Sequence, residues 1–117
     1  MKVKVKRVYE SPSKNDGVRI LVDRLWPRGM KKEDAHLDYW LKDIAPSHSL
    51  RKQYHGDELS HREFVAHYKR ELQHDATAQS ALQKLRELTK KNTCTLLVAT
   101  KDIEHAHAHI LVNMLQG

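Results

Sequence analysis

The chain has 117 residues, 39% of them hydrophobic and 31% charged, enough apolar material to build one core without cross-links. Lysine and arginine exceed aspartate and glutamate by 21 to 15, a formal charge of +6 with nine histidines neutral, so anionic partners are favoured at long range. A single cysteine, Cys94, excludes an internal disulfide, and no apolar segment follows Met1-Lys2, so a cytoplasmic protein with no membrane partner is expected.

The stretch "KVKVKRVY" (2–9) alternates lysine with valine and predicts a strand near a sheet edge with one wet face. "SPSKNDG" is a loop too short for an ordinary parallel crossover, which leaves the first two strands either antiparallel or tightly joined. "GVRILVDRLW" is β-branched and leucine-rich, the pattern of a central strand covered on both faces, and Pro27 and Gly29 end it. Within 31–44, Leu37, Trp40, Leu41 and Ile44 recur at helical spacing and predict a short helix, with Asp34 able to cap a turn.

Ser47 or Ser49 caps a further short helix ending near Gly56. Ser60 and Glu63 form a capping box, and Phe64, Val65, Tyr68 and Leu72 follow at helical spacing, which predicts an amphipathic helix over 61–74. Asp75 or Thr77 opens the next, with Leu82, Leu85 and Leu88 inward and Lys90-Lys91-Asn92 at its end. "TCTLLVAT" (93–100) is a buried strand, and Ile103, Ala106, Ile110 and Met114 share a face of a closing helix over 103–115.

This order is that of an α/β domain: a small sheet with parallel central strands flanked by helices, in a single domain over 1–117. A right-handed crossover places strands 17–24 and 93–99 side by side, so that "DRLWPRG" and "ATKD" leave the same end of the sheet, where α/β proteins bind ligands. Arg24 and Arg28 can grip an anion in bidentate fashion, Lys101 adds a point charge, and Thr100 and the amides opening a helix at Asp102 reinforce them. Asp23 and Asp102 are the candidate acid/base groups, unless they pair with the arginines. Trp26 is either a core plug or a ligand-facing wall, and Gly29 allows close backbone approach.

Two other readings compete. His105 and His109, four apart with Glu104 beside them, match the spacing of two metal ligands on a helix and suggest a metal-dependent hydrolase, although a third protein ligand is not evident. Lys2, Lys4, Lys6 and Lys14 offer a basic stripe for nucleic acid, in a chain with only seven aromatics and no reading helix. Cys94, inside an apolar strand, reads as packing, and no phosphate-binding glycine loop or dinucleotide fingerprint is present.

Nearly the whole chain, through "KRVYESPSKNDGVRILVDRLWPRGMKK", "APSHSLRKQYHGD" and "LLVATKDIEHAHAHIL", resembles the YeaO-like branch of the DUF488 family of uncharacterised bacterial proteins. The resemblance implies a small cytoplasmic α/β domain with the two motif-bearing strand ends together, and it implies no activity. His107 stands where such proteins are expected to carry asparagine, which weighs against a family-wide metal site. Larger relatives bear a cysteine or histidine after the later strand, and Ala99 and Thr100 here give no thiol to carry over. The reading drawn from these residues is a protein that binds a small phosphate- or carboxylate-bearing ligand through Arg24, Arg28 and Lys101, without a cofactor or metal, with catalysis left open.

Overall fold

The valine–lysine alternation forms β1 (Val3–Arg7), with Val3 and Val5 packed on the main core and Lys4 and Lys6 on the opposite face. The computed structural model describes residues 2–116. Three more strands follow: β2 (Val18–Leu21), β3 (Tyr39–Trp40) and β4 (Cys94–Val98). They lie in the order β1-β4-β2-β3 with every pair parallel, as expected of the two central strands. β4 is buried at all five positions because it sits between two neighbours and is covered on both faces.

β1 and β2 are not neighbours, which settles how a short connection can join parallel strands. Residues 8–17 pass across β4, aided by a 3-10 turn at Lys14–Asp16 that Ser13 caps. At the end of this turn Gly17 takes φ 64°, and a side chain there would collide with the Thr93 carbonyl. Only glycine fits.

The helices form chiefly where the caps and apolar stripes put them. Ser47 accepts from the Leu50 amide and opens α2 (His48–His55), and the Ser60/Glu63 capping box opens α3 (His61–His74). Asp75 accepts from the Thr77 amide at the start of α4 (Ala76–Lys91), whose Leu82, Leu85 and Leu88 are buried. Phe64, Tyr68 and Leu72 of α3 join them over Ile20, Val22, Leu96 and Val98. The Tyr68 hydroxyl donates to the Ile44 carbonyl at 2.5 Å, so its buried oxygen keeps a partner. Among the described residues no helix is long and apolar enough to cross a membrane.

Two expected helices are altered. The helix expected within 31–44 is confined to a single turn, α1 (Lys32–Ala35), ended by His36 at φ 50°. Beyond it, Trp40 lies in β3 beside Leu21, and Ile44 closes a 3-10 turn at Lys42–Ile44. Strand pairing overrides the helical spacing there because β2 has an open edge to fill. The closing helix begins not at Ile103 but at His107: Ile103–His105 is a 3-10 turn, Ala106 is extended, and α5 spans His107–Gln116.

The second face of the sheet is thin and holds a small cluster of Val8, Leu21 and Leu97, with Trp26, Met30, Leu37 and Ala99 against it. Beside it lies a buried ionic knot where a wet strand face was expected. The Asp16 carboxylate accepts from Lys6 Nζ (2.9 and 3.1 Å), the Ser13 amide (3.0 Å) and Arg19 (2.5 Å). Burial alone would raise this carboxyl, but the bonds from Lys6, Ser13 and Arg19 outweigh it and hold the group well below the usual carboxylate range. Arg19 also donates to the Ala35 and His36 carbonyls at the end of α1, and its amide donates to Asp38.

Asp16→Ala strands the buried Arg19 and the partly buried Lys6 without their shared carboxylate, and a loss of about 3–5 kcal/mol in urea unfolding is expected. Lys4→Ala, at the exposed edge of the same group, is expected to cost at most about 1 kcal/mol. Equal effects of the two changes would refute a buried, cooperative knot.

Candidate functional site

Parallel pairing brings the carboxyl ends of β2 and β4 together, and the residues just beyond them stitch the ends to each other. Asp23 Oδ2 accepts from the Ala99 amide at 2.8 Å, and the Trp40 indole donates to the Asp23 carbonyl at 2.8 Å. Arg7, at the end of β1, donates to the Ala99 and Thr100 carbonyls at 3.0 and 2.9 Å and lies over the Tyr9 ring. Tyr9 in turn donates to the Arg28 carbonyl at 2.8 Å. Four strand ends and their loops are thereby fixed around a cleft of about 780 Å³.

Asp23, Arg24, Trp26, Arg28, Thr100, Lys101 and Asp102 all line this cleft. Arg24 turns toward the loop before α2, donating to the Pro46 and Ala45 carbonyls at 3.3 and 2.9 Å. Those bonds leave guanidinium N–H groups to spare. Arg28 and Lys101 are exposed, and among the described residues none of Arg24, Arg28 and Lys101 is in a salt bridge. Asp23 does not pair with Arg24; its carboxylate faces Ala99 and, at 3.9 Å, His107. Asp102 is 64% exposed and binds His105 Nδ1 at 2.9 Å.

Trp26 packs as a plug and also lines the cleft: its indole donates to the Met30 carbonyl, and its ring meets Trp40 edge-on and packs on the small cluster. Gly29 is not in the lining. It has φ 75° and open space where a side chain would begin, so the turn by itself favours glycine there. Thr100 accepts from the Asp102 amide. Because α5 starts at His107, only a single 3-10 turn opens at Asp102, in place of the longer helix expected to present its amides there.

The same break separates the histidines. His105 ends the 3-10 turn and His109 lies in α5, so they do not share a helical face. Among the described residues no group of three or more histidine, cysteine, aspartate or glutamate side chains is placed to hold a metal ion. Lys4 and Lys6 of the expected basic stripe are drawn onto Asp16. Cys94 is buried, and burial pushes its thiol up.

Several lining residues escaped sequence reasoning. Arg51, Tyr54 and His55 come from α2, and Phe64 from α3. Their signal was present, since positions 51, 54 and 55 recur at three and four residues and so share a face. Among the described residues Arg51 is in no salt bridge, and Tyr54 stacks on Phe64 with centroids 4.4 Å apart. His107, the histidine at a position expected to carry asparagine, also belongs to the lining. Its Nε2 donates to the Val22 carbonyl at 2.8 Å and its ring meets Tyr68 edge-on. Burial holds its pKa below the ordinary 6.5 with Arg51 adding repulsion, against the opposing pull of Asp23 and the Val22 carbonyl.

The family model described as "Inactive DUF488-N3 subclade" matches residues 2–117. The chain belongs to the DUF488 family. It is 43% identical over 118 residues to the uncharacterized protein YeaO of Escherichia coli, covering 100% of this chain and 99% of that one. It is 42% identical over 116 residues to the uncharacterized protein Rv3073c of Mycobacterium tuberculosis, with 99% and 95% covered. The same figures hold for the uncharacterized protein Mb3100c of Mycobacterium bovis. No solved structure matches this DUF488 chain significantly.

The buried neutral His107 carries a pH signature. Its folded pKa is depressed, so the unfolded chain takes up a proton that the native state refuses, and stability falls as pH drops below the ordinary 6.5. In His107→Asn the amide can still donate to Val22 but does not titrate. Chemical unfolding across this range is expected to show a shallower acid loss in the variant; parallel curves would contradict a neutral His107.

Proposed function

We propose that this cleft binds a small organic anion bearing phosphate or carboxylate, and that binding rather than turnover is its role. The observation that carries this reading is a charge imbalance: Arg24, Arg28, Arg51 and Lys101 line one cleft without a salt-bridge partner among the described residues. Of the three acids that line the same cleft, Asp23 and Asp102 are engaged with Ala99 and His105, and Asp57 pairs with none of the four cations among the described residues. Cations held at a concave site and left unneutralised are what an anion requires, and guanidinium groups suit the planar or tetrahedral oxygens of carboxylate and phosphate.

The volume of about 780 Å³ exceeds what a bare inorganic ion needs and falls in the usual range for small-molecule sites. Leu25, Trp26, Tyr54 and Phe64 supply apolar wall for the rest of such a ligand. Two features favour binding without chemistry. Asp23 spends one oxygen bracing β4, and Asp102 is exposed and tied to His105, so both carboxylates serve structure at least in part. The subclade to which the chain is matched is described as inactive.

Titration calorimetry with inorganic phosphate, sulfate and citrate tests this. Arg28→Ala and Arg51→Ala are each expected to weaken binding about tenfold, equivalent to about 1.4 kcal/mol, while Lys90→Ala at the far end of α4 leaves it unchanged. A salt dependence with a log–log slope of about one is expected, against the much steeper slope of a protein that contacts many nucleic-acid phosphates. Unaltered affinity in both arginine variants would refute the site.

A further inference from the structure

A cleft made solely for an anion would present cations and donors, yet Asp23 and His107 place hydrogen-bond acceptors on its wall. The Val22 carbonyl can only accept, so the 2.8 Å contact requires the proton of His107 to sit on Nε2. A neutral imidazole has one N–H, which leaves Nδ1 as a bare acceptor. Among the described residues Nδ1 has no hydrogen-bond partner, and no sealed side-chain polar atom lacks one, so Nδ1 keeps some access to solvent on a residue that lines the cleft.

Asp23 is in a similar position. Its Oδ2 accepts from Ala99, while Oδ1 lies 3.9 Å from His107 Nε2, beyond hydrogen-bond range. The side chains of His107 and Asp23 are 14% and 21% accessible, so both acceptors lie deep, whereas Arg28 and Lys101 are exposed at the mouth. An anion whose inner end brought no donor would strip water from a carboxylate and an imidazole nitrogen and give nothing back.

We infer that the ligand is a hydroxylated organic anion, its charged group at the arginines and lysine of the mouth and its hydroxyl groups donating to His107 Nδ1 and Asp23 Oδ1. This rests on the anion-binding reading and narrows it. His107 is thereby a specificity-determining residue, since a site built to accept from a hydroxyl rejects the analogue without one far more strongly than an apolar pocket does.

Calorimetry with three probes separates the layers: inorganic phosphate, n-propyl phosphate and sn-glycerol 3-phosphate. The glycerol ester is expected to bind at least about tenfold more tightly than the propyl ester. In His107→Phe the preference for the glycerol ester over the propyl ester is lost. Two-bond proton–nitrogen spectra of the unaltered protein give a readout that needs no variant: Nε2 protonated, Nδ1 bare, and the Nδ1 resonance shifted by the glycerol ester alone. Equal binding of the two esters to the unaltered protein, or a protonated Nδ1, overturns the hydroxyl inference and leaves anion binding standing. Failure of all three probes to bind overturns the anion reading and this inference with it.

Discussion

One buried carboxylate organises the part of the molecule that has least core. Asp16 takes hydrogen bonds from β1 through Lys6, from its own loop through Ser13 and from β2 through Arg19, and its carbonyl accepts from Thr95 of β4 at 2.8 Å. The second face of the sheet has a small apolar cluster to which, among the described residues, no long helix contributes, so hydrophobic burial cannot by itself hold the 8–17 crossover in place. Charge-assisted bonds at a closed position substitute for that burial. Arg19 extends the effect by anchoring the carbonyls that end α1, and so places the chain that returns as β3.

The opposite end of the sheet follows a different rule. There, among the described residues, the cations are in no salt bridge, and their positions are set by backbone: Arg24 by the loop carbonyls before α2, Arg28 through the bond that Tyr9 makes to its carbonyl, Lys101 by the turn that Arg7 grips. Basic side chains at one end are consumed in folding, and at the other they stay available. The overall charge of +6 conceals this division, which is why composition indicated a preference for anions but not where they would be met.

Legibility in the sequence tracked the range of the interactions involved. α3 was readable to its ends because a capping box and an apolar stripe both lie within the helix, and the adjacency of β2 and β4 followed from the crossover rule. The 31–44 segment misled because Trp40 owes its place to pairing with Leu21, a contact that helical spacing cannot register. His107 was opaque for the same reason, since its tautomer depends on a carbonyl 85 positions away. Arg51 was visible as a residue on α2 but not as a neighbour of Arg24 and Arg28, because nothing local says which helix closes the cleft.

By itself, then, the amino-acid order determined the alternation of strands and capped helices, the parallel central pair and the grouping of Arg24, Arg28 and Lys101 near its carboxyl end. Those properties rest on periodicity, capping and chain connectivity, which act over a few residues or obey a fixed handedness. Tertiary structure alone decided that Lys6 and Arg19 would be spent on Asp16, that Asp23 would brace Ala99 instead of Arg24, and that His107 would turn one nitrogen to Val22 and leave the other bare. Each is a choice among several partners of similar chemistry, and only the packed positions of distant backbone atoms select between them.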